Sequence, residues 1–600
     1  MLKVIGIIVL IAFVVAFGVT VGIVAGYMGN LPELNSYRSV SKDQTSKVYA
    51  ADGTLLTSLH AEQNREIIPL DQIPLNLQRA AIAIEDERFY NHRGVDLKAI
   101  LRALYTNIKT GQVTEGGSTI TQQYVRNSFI SPEKTLLRKI KEAALAYQLE
   151  KKYSKKKILE LYLNTVYFGQ GCYGVETAAK TFFGKPAKDL SLAESALLAG
   201  LPGAPNYFSP YINPKLALQR RNTVLEKMVS QKYISRKEAE EAKKEPIRVL
   251  PIKTEEQIIA PYFVEHVKLS LIDKYGANVV YRGGLRIYTT LDLRMQQIAE
   301  EAVGSTLSEP DDPSAALVAI EPKTGYIKAL VGGRDFKNNK FNLATQAKRS
   351  PGSAFKPFTL AAAIENGISP NKTYDSSSPR NIKVPDGVWR VENYEGRQFS
   401  GSMSIREATV WSVNAVYAQL IMDVGAQKVA DTAQKMGILT PVPPYPAITL
   451  GGLDEGVSPL EMASAYGTLA DDGVYVKSTA ILKVTDAQGN IIEQNKSTGK
   501  QVIGKNTARA VNNILKEVIN RGTGTRALLG RPAAGKTGSA EYMQDAWFVG
   551  YAPELSTAVW MGYPNGSIRM SSVHGYAPYG GGIPALIWRK FMSAALEGLP

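Results

Sequence analysis

The stretch RSPGSAFKPFTLAAAIENG, residues 349–367, sets a serine and a lysine three residues apart at the start of an apolar helix. Pro351-Gly352 reads as a turn, and the residues from Phe355 onward read as a helix that ends near Asn366-Gly367. This places the Ser353 hydroxyl in the first turn, near the positive end of the helix dipole. Residues three apart share a helix face, so Lys356 can reach the Ser353 oxygen. The Ser-x-x-Lys pattern alone is weak, because it starts six times, at Ser39, Ser131, Ser154, Ser353, Ser369 and Ser497. Only at Ser353 does a turn lead into a clear helix.

Two more short patterns sharpen the choice. Ser-x-Asn occurs at Ser369 and at Ser412. Ser369 follows a helix end and precedes a proline, which reads as a loop, so Ser412-Val413-Asn414 is the better candidate. Lys-Thr-Gly occurs at Lys109, Lys323 and Lys536. The first copy ends a helical run, where glycine is a common cap. The second follows Pro322 between two apolar runs, which is a hairpin signal. The third, Lys536-Thr537-Gly538-Ser539, comes after both serines and leads to the strand-like DAWFVGYAP.

Outward from these motifs the texture is uneven. From about residue 285, short β-rich runs such as LRIYTTLD, AALVAIEP, GYIKALVGG and STAVWMGYP alternate with helical pieces. They predict a mixed α/β domain with an antiparallel sheet. Residues 66–235 instead carry apolar residues at helical spacing. Ser191 with Glu194 three residues later forms a capping-box pattern at one helix start. The charged stretch after 235 reads as a solvated helix and a linker. Six hundred residues exceed what one core supports, so two or more domains are expected.

The formal charge of +15 favours anionic partners without choosing among them. A lone cysteine, Cys172, and four histidines exclude an internal disulfide framework and leave little for a Cys/His zinc site. Residues 4–32 carry no charge. As a helix, residues 4–27 would span about 35 Å, enough for a hydrocarbon core of about 30 Å. A cleaved signal peptide is the alternative, but its apolar region is usually only about 7–15 residues. Lys3 and the amino terminus alone precede the run, which predicts a short cytoplasmic tail with the rest outside. Such a location argues against nucleic acid as the partner.

The helical region holds a second polar constellation. IEDERFYNHRG, residues 84–94, and EGGSTITQQYVRN, residues 115–127, are too rich in hydrogen-bonding groups for a packed core. Residues 138–157 hold eight Lys or Arg and two acids. That is either a solvated helix face or an anchor for a phosphorylated lipid.

EDERFYNHRG, GGSTITQQYVRN, RKIKEAALAYQLE, KKILELYLNTVYFGQGCYGVE and LSLAESALLAGLPGAP resemble, in order, the five motifs of the peptidoglycan glycosyltransferase domain. The resemblance covers about 66–235 and implies a mostly α, lysozyme-like fold that polymerises lipid II with inversion at the anomeric carbon. It makes Glu85 the base and Glu142 a second required acid, near the leaving group or a metal. Arg126, Arg138 and Lys139 match cationic positions, and Asp86, Ser118, Thr119, Gln123 and Asn127 match substrate-binding ones. His92 is expected to brace its loop. The family often has Lys-Asn where this chain has Arg126-Asn127, and a forked guanidinium is not equivalent to an ammonium.

The ordered serine, lysine and Lys-Thr-Gly set resembles the transpeptidase domain of class A penicillin-binding proteins, across about 285–597. By that resemblance Ser353 is the nucleophile, Lys356 activates it and Ser412 relays the proton. Asn414 binds the substrate amide, and Lys536, Thr537, Gly538 and Ser539 hold the terminal carboxylate. The backbone N–H groups of Ser353 and Ser539 would form the oxyanion hole.

Together the two resemblances imply a bifunctional enzyme, anchored by one span, with both catalytic domains extracytoplasmic. The expected layout is a tail at 1–3, a span at 4–27, a membrane-proximal connector at 28–65, a glycosyltransferase domain at 66–235, a linker at 236–284 and a transpeptidase domain at 285–600. Expected partners are lipid II and the growing glycan, D-Ala-D-Ala stem peptides, β-lactams as covalent inhibitors, the membrane and cell-wall synthesis proteins. No cofactor is expected for transpeptidation, while a divalent cation, Mg or Mn, would assist glycosyl transfer. A carboxypeptidase or β-lactamase would use Ser353 with water as acceptor, a β-lactam sensor would not need Glu85, and a lipid-binding scaffold would need neither site.

Overall fold

The computed structural model describes residues 45–59, 66–100, 102, 117–129, 136–251, 258–384, 387–393, 398–564 and 568–599. The apolar run at 4–27, its preceding tail and the first Lys-Thr-Gly, at 109–111, lie outside the described residues, as do the side chains of Asn127 and Arg138. Among the described residues no helix is long and apolar enough to cross a membrane. The chain divides into two compact units. One comprises residues 58–255 with 268–285, and the other 47–57, 256–267 and 286–600.

The first unit is mostly helical. Helix Leu192–Gly200 is apolar almost all round and packs against helices Leu75–Glu85 and Pro214–Ser230. Burial on all sides removes any need for a polar face, which is why LAESALLAG reads as nearly unbroken apolar sequence. Its start has the expected capping box, with Ser191 and Glu194 satisfying each other's backbone N–H groups. This three-helix packing carries Glu85, the last residue of its helix, into the space beside helix Pro214–Ser230. The loop after Glu85 is pressed onto helix Leu136–Lys152 at Gly94. A Cβ there would lie 2.8 Å from the Ala146 backbone, and φ is +88°, so only glycine fits without strain.

The second unit is built on an antiparallel five-stranded sheet in the order Ala534–Ser539, Asp545–Ala552, Leu555–Gly562, Ser314–Glu321, Tyr326–Val331. Every residue of Asp545–Ala552 and Leu555–Gly562 is buried. Helices Leu293–Gly304 and Ile583–Ala595 join one core with this sheet. Helix Pro459–Ala470 lies against its other face, where Ser556 donates to the Ala463 carbonyl at 2.7 Å. Covered on both faces, these strands have no reason to alternate, and their sequences do not. The second Lys-Thr-Gly forms the expected hairpin turn between Ser314–Glu321 and Tyr326–Val331, with Gly325 at φ +70°.

A second five-stranded sheet runs Ile491–Gln494, Ile481–Thr485, Arg286–Thr289, Ser46–Tyr49, Leu55–Leu59. Residues 46–59, expected as part of a membrane-proximal connector, thus form two of its strands. Ser46–Tyr49 pairs in parallel with Arg286–Thr289.

Candidate active sites

In the helical unit, Glu85 is buried and held by one oxygen. Gln123, on helix Ile120–Phe129, donates its Nε2 to Glu85 Oε2 at 2.8 Å. The Tyr162 hydroxyl donates to Gln123 Oε1 at 3.4 Å, which fixes the amide with its nitrogen towards Glu85. Glu85 Oε1 has no hydrogen-bond partner among the described residues, and the Arg220 guanidinium stands 3.9 Å from it. Burial pushes the Glu85 carboxyl up from its ordinary range, opposed by the Gln123 bond and by the charges of Arg220 and Arg126. The result is a desolvated carboxyl with one anchored oxygen and one buried oxygen left free of hydrogen bonds, which a general base can use to take a proton.

Asp86 and Thr119, both matched to substrate-binding positions, are occupied within the fold. His92 Nε2 lies 3.0 Å from both Asp86 oxygens, and Ile120 N donates to Asp86 Oδ2 at 3.0 Å. Asp86 therefore ties the loop after Glu85 to the start of the Gln123 helix, with His92 bracing that loop. Thr119 caps the same helix by accepting from Gln122 N and donates to the Gly94 carbonyl at 2.6 Å. Ser118 and Lys139 do remain partly open. Lys139 Nζ donates to Ser118 Oγ at 3.0 Å and to the fully buried Glu142 at 2.9 Å. A cation bound at Glu142 would have to share it with that ammonium. Among the described residues no group of three or more His, Cys, Asp or Glu is placed to hold a metal ion.

In the second unit the serine turn and the third Lys-Thr-Gly meet at their backbones. Ser353 lies in the short 3₁₀ turn Gly352–Phe355 that runs into helix Lys356–Glu365. Gly352 has φ +52°, and a Cβ there would fall 2.3 Å from the Ser539 carbonyl. A Cβ on Gly538 would fall 2.3 Å from the Pro351 carbonyl. The absence of both side chains lets strand Ala534–Ser539 lie directly against the serine turn.

Ser412 joins the two lysines. Lys356 Nζ donates to the Ser412 carbonyl at 2.7 Å, to Ser412 Oγ at 3.2 Å and to Asn414 Oδ1 at 2.8 Å. Lys536 Nζ donates to Ser412 Oγ at 2.8 Å. Ser412 adopts φ +59°, an unfavoured conformation for a serine that is characteristic of working positions. Both ammonium groups are buried. Burial, and secondarily the charge of Lys536, hold Lys356 well below the usual lysine range. Burial brings Lys536 down to about 7. Asn414 Nδ2 donates to the Glu392 carbonyl at 2.8 Å, so its amide oxygen is turned to Lys356.

A transglycosylase family model matches residues 52–229, and a penicillin binding protein transpeptidase domain model matches residues 315–592. Penicillin-binding protein 1A of Aquifex aeolicus is 36% identical over 89% of this chain and 84% of its own length. Penicillin-binding protein 2D of Bacillus subtilis is also 36% identical, over 94% of this chain and 82% of its own. This chain belongs to the class A penicillin-binding proteins. As a member of that family it is a bifunctional enzyme that polymerises peptidoglycan glycan strands and cross-links their stem peptides.

Solved structures agree on the fold. The crystal structure of penicillin-binding protein 1A from Haemophilus influenzae is 23% identical, covers 94% of each chain and has a TM-score of 0.56. PonA1 from Mycobacterium tuberculosis, solved also in complex with penicillin V, is 33% identical over 57% of this chain and 93% of its own, with a TM-score of 0.52.

This penicillin-binding protein also uses residues that its motifs do not announce. Thr523 shares a 2.8 Å hydroxyl–hydroxyl bond with Thr537. Gly580 N donates to Ser539 Oγ at 3.2 Å, and a Cβ at 580 would lie 2.6 Å from the Gly538 carbonyl. Thr523 contacts the Lys-Thr-Gly strand from 14 residues before its partner, and Gly580 from 41 residues after. In the glycosyltransferase unit Arg220 stands outside the quoted motifs, while Tyr162 lies within one of them without having been singled out.

Proposed function

We propose that Glu85 and Ser353 carry the two reactions. In glycosyl transfer, the acceptor sugar hydroxyl attacks the anomeric carbon of the donor from the face opposite its lipid pyrophosphate. The new C–O bond forms as the bond to pyrophosphate breaks, and the hydroxyl proton passes to Glu85 Oε1. The leaving group keeps its negative charge and needs cations rather than a proton. Arg126 and Lys139 supply them, with Arg138 and Asn127 assigned to the same site by sequence. Glu142 holds Lys139 in place.

In transpeptidation, Ser353 Oγ attacks the penultimate D-Ala carbonyl and loses its proton to Lys356, which burial keeps ready to accept one. Ser412 takes that proton on to the departing D-Ala nitrogen. An amine from a second stem peptide then attacks the ester and regenerates Ser353. Lys536, Thr537 and Ser539 hold the terminal carboxylate, and Asn414 the peptide amide. A β-lactam would acylate the same serine. The uncharged run at 4–32 supports a single membrane anchor with both units outside, and cell-wall synthesis proteins are the partners such a location would offer.

The observation that carries this reading is the open oxygen of a buried Glu85 in one unit and the Lys356–Ser412–Lys536 chain in the other. Purified full-length enzyme with labelled lipid II tests it. Glu85→Gln is expected to abolish polymerisation while fluorescent penicillin labelling persists, and continued polymerisation would remove Glu85 as the base. Ser353→Ala is expected to abolish labelling while polymerisation persists, and continued labelling would place the nucleophile elsewhere.

A further inference from the structure

Arg220 lies outside the five quoted glycosyltransferase motifs, yet among the described residues it is the cation within 4 Å of the unpartnered oxygen of Glu85. It projects from helix Pro214–Ser230 and is anchored at its other end. Its Nε donates to the Gly200 carbonyl at 3.1 Å, and its guanidinium lies 4.8 Å from the centre of the Phe208 ring. Its Nη2 stops 3.9 Å short of Glu85 Oε1. That separation is too long for a closed, hydrogen-bonded ion pair and short enough for strong attraction in a buried site. Gly203 borders the gap. A Cβ there would stand 3.2 Å from Arg220 Nη2 and 3.4 Å from Glu85 Oε1.

We infer that Arg220 is a positioning residue that keeps Glu85 ionised without occupying the oxygen that takes the proton, and that Gly203 keeps that gap open. A contact ion pair would stabilise the carboxylate but block its lone pair and weaken it as a base. A neutral side chain would leave burial opposed only by the Gln123 bond and the Arg126 charge, and would let the carboxyl protonate at higher pH. The observed spacing avoids both. The other groups facing Glu85 do different work. Gln123, itself oriented by Tyr162, holds Oε2, Arg126 adds a second cation, and the adjoining Asp86 is committed to His92 and Ile120. Burial lowers the Arg220 pKa, but a guanidinium starts high enough to stay charged.

The inference rests on Glu85 being the base, and its test separates the two. Lipid II polymerisation by the full chain is followed against pH for the parent and for Glu85→Gln, Arg220→Gln, Arg220→Lys and Gly203→Ala. With the opposing charge gone, Glu85 protonates at higher pH. In Arg220→Gln the acidic limb is therefore expected to move up by about one pH unit, with a loss of about tenfold at the parental optimum. Arg220→Lys restores the limb and part of the rate. Gly203→Ala lowers kcat more than it raises KM, because its methyl group intrudes beside the open oxygen. If Glu85→Gln is dead but Arg220→Gln keeps the parental acidic limb, the Arg220 role is overturned and the base stands. If Glu85→Gln still polymerises, the base assignment falls, and the inference falls with it. A parental kcat in Gly203→Ala overturns the open gap. Melting curves for each variant separate a shifted limb from a misfolded unit.

Discussion

The proton acceptor we propose for the glycosyltransferase unit is an acid, Glu85; the one we propose for the transpeptidase unit is a base, Lys356. Burial acts against the charged form of each, so it moves them in opposite directions, raising the carboxyl and lowering the ammonium. The neighbours differ accordingly. Glu85 faces the opposite charges of Arg220 and Arg126, which offset part of its desolvation. Lys356 faces the like charge of Lys536, which adds to it. An acid used as a base must remain ionised, so it needs cations close by. A lysine used as a base must lose its proton, so a second ammonium helps it.

The largest expected effect breaks the transpeptidase half of this comparison alone. Gly352→Ala forces a methyl group onto the Ser539 carbonyl at a positive φ. Penicillin acylation is expected to fall on the order of a thousandfold, as when an oxyanion site is lost, with polymerisation unchanged. Lys536→Ala comes next, lowering acylation by about a hundredfold. It also bears on pH. In the free enzyme the Lys536 ammonium is lost as pH rises through about 7, so acylation by an anionic penicillin is expected to decline above that point. The alanine variant should lack this alkaline limb. Polymerisation has the opposite sense: it is gained as pH rises through the raised Glu85 pKa and lost below it. Rates of both reactions on one preparation across about pH 5–9 would show whether the limbs separate as the two burials require.

Smaller effects test the scaffold. Asp86→Ala leaves the buried His92 and the Ile120 N–H without their shared acceptor, and is expected to cost about 2–3 kcal/mol in the melting of the helical unit. Ser118→Ala removes one hydrogen bond to a half-exposed Lys139 and is expected to change polymerisation by about threefold or less. A larger loss would mean that Ser118 touches substrate directly.

The sequence made the serine site legible because its three motifs occur in order, each with a local signal. The turn before Ser353, the helix after it and the strand at the third Lys-Thr-Gly can all be read from neighbouring residues. Thr523 and Gly580 could not be found that way, since they lie outside the motifs and only the fold brings them against Thr537 and Ser539. Arg220 was hidden for a different reason. It stands beside Arg221 in an ordinary basic helix, and nothing in the sequence says that the two diverge. Arg221 is buried and donates to the Lys243 and Glu245 carbonyls, while Arg220 reaches towards Glu85. Asp86 and Thr119 show the converse. Their place in a functional motif suggested ligand contact, and the structure uses them to hold Glu85 and Gln123 in position.

The parallel pairing of Ser46–Tyr49 with Arg286–Thr289 has a consequence for how the chain can be cut. Adjacent strands in that sheet are separated by well over two hundred residues of sequence, most of them in the helical unit. The glycosyltransferase is thus an insertion within the other unit's topology rather than a bead preceding it. A fragment begun at residue 286 would leave Arg286–Thr289 as an unprotected edge, an invitation to aggregate. Supplying residues 45–59 as a short peptide or fusion should cover it. During synthesis the early strands must wait for the helical unit to emerge before their partner exists, a long-range closure of the kind that slows folding.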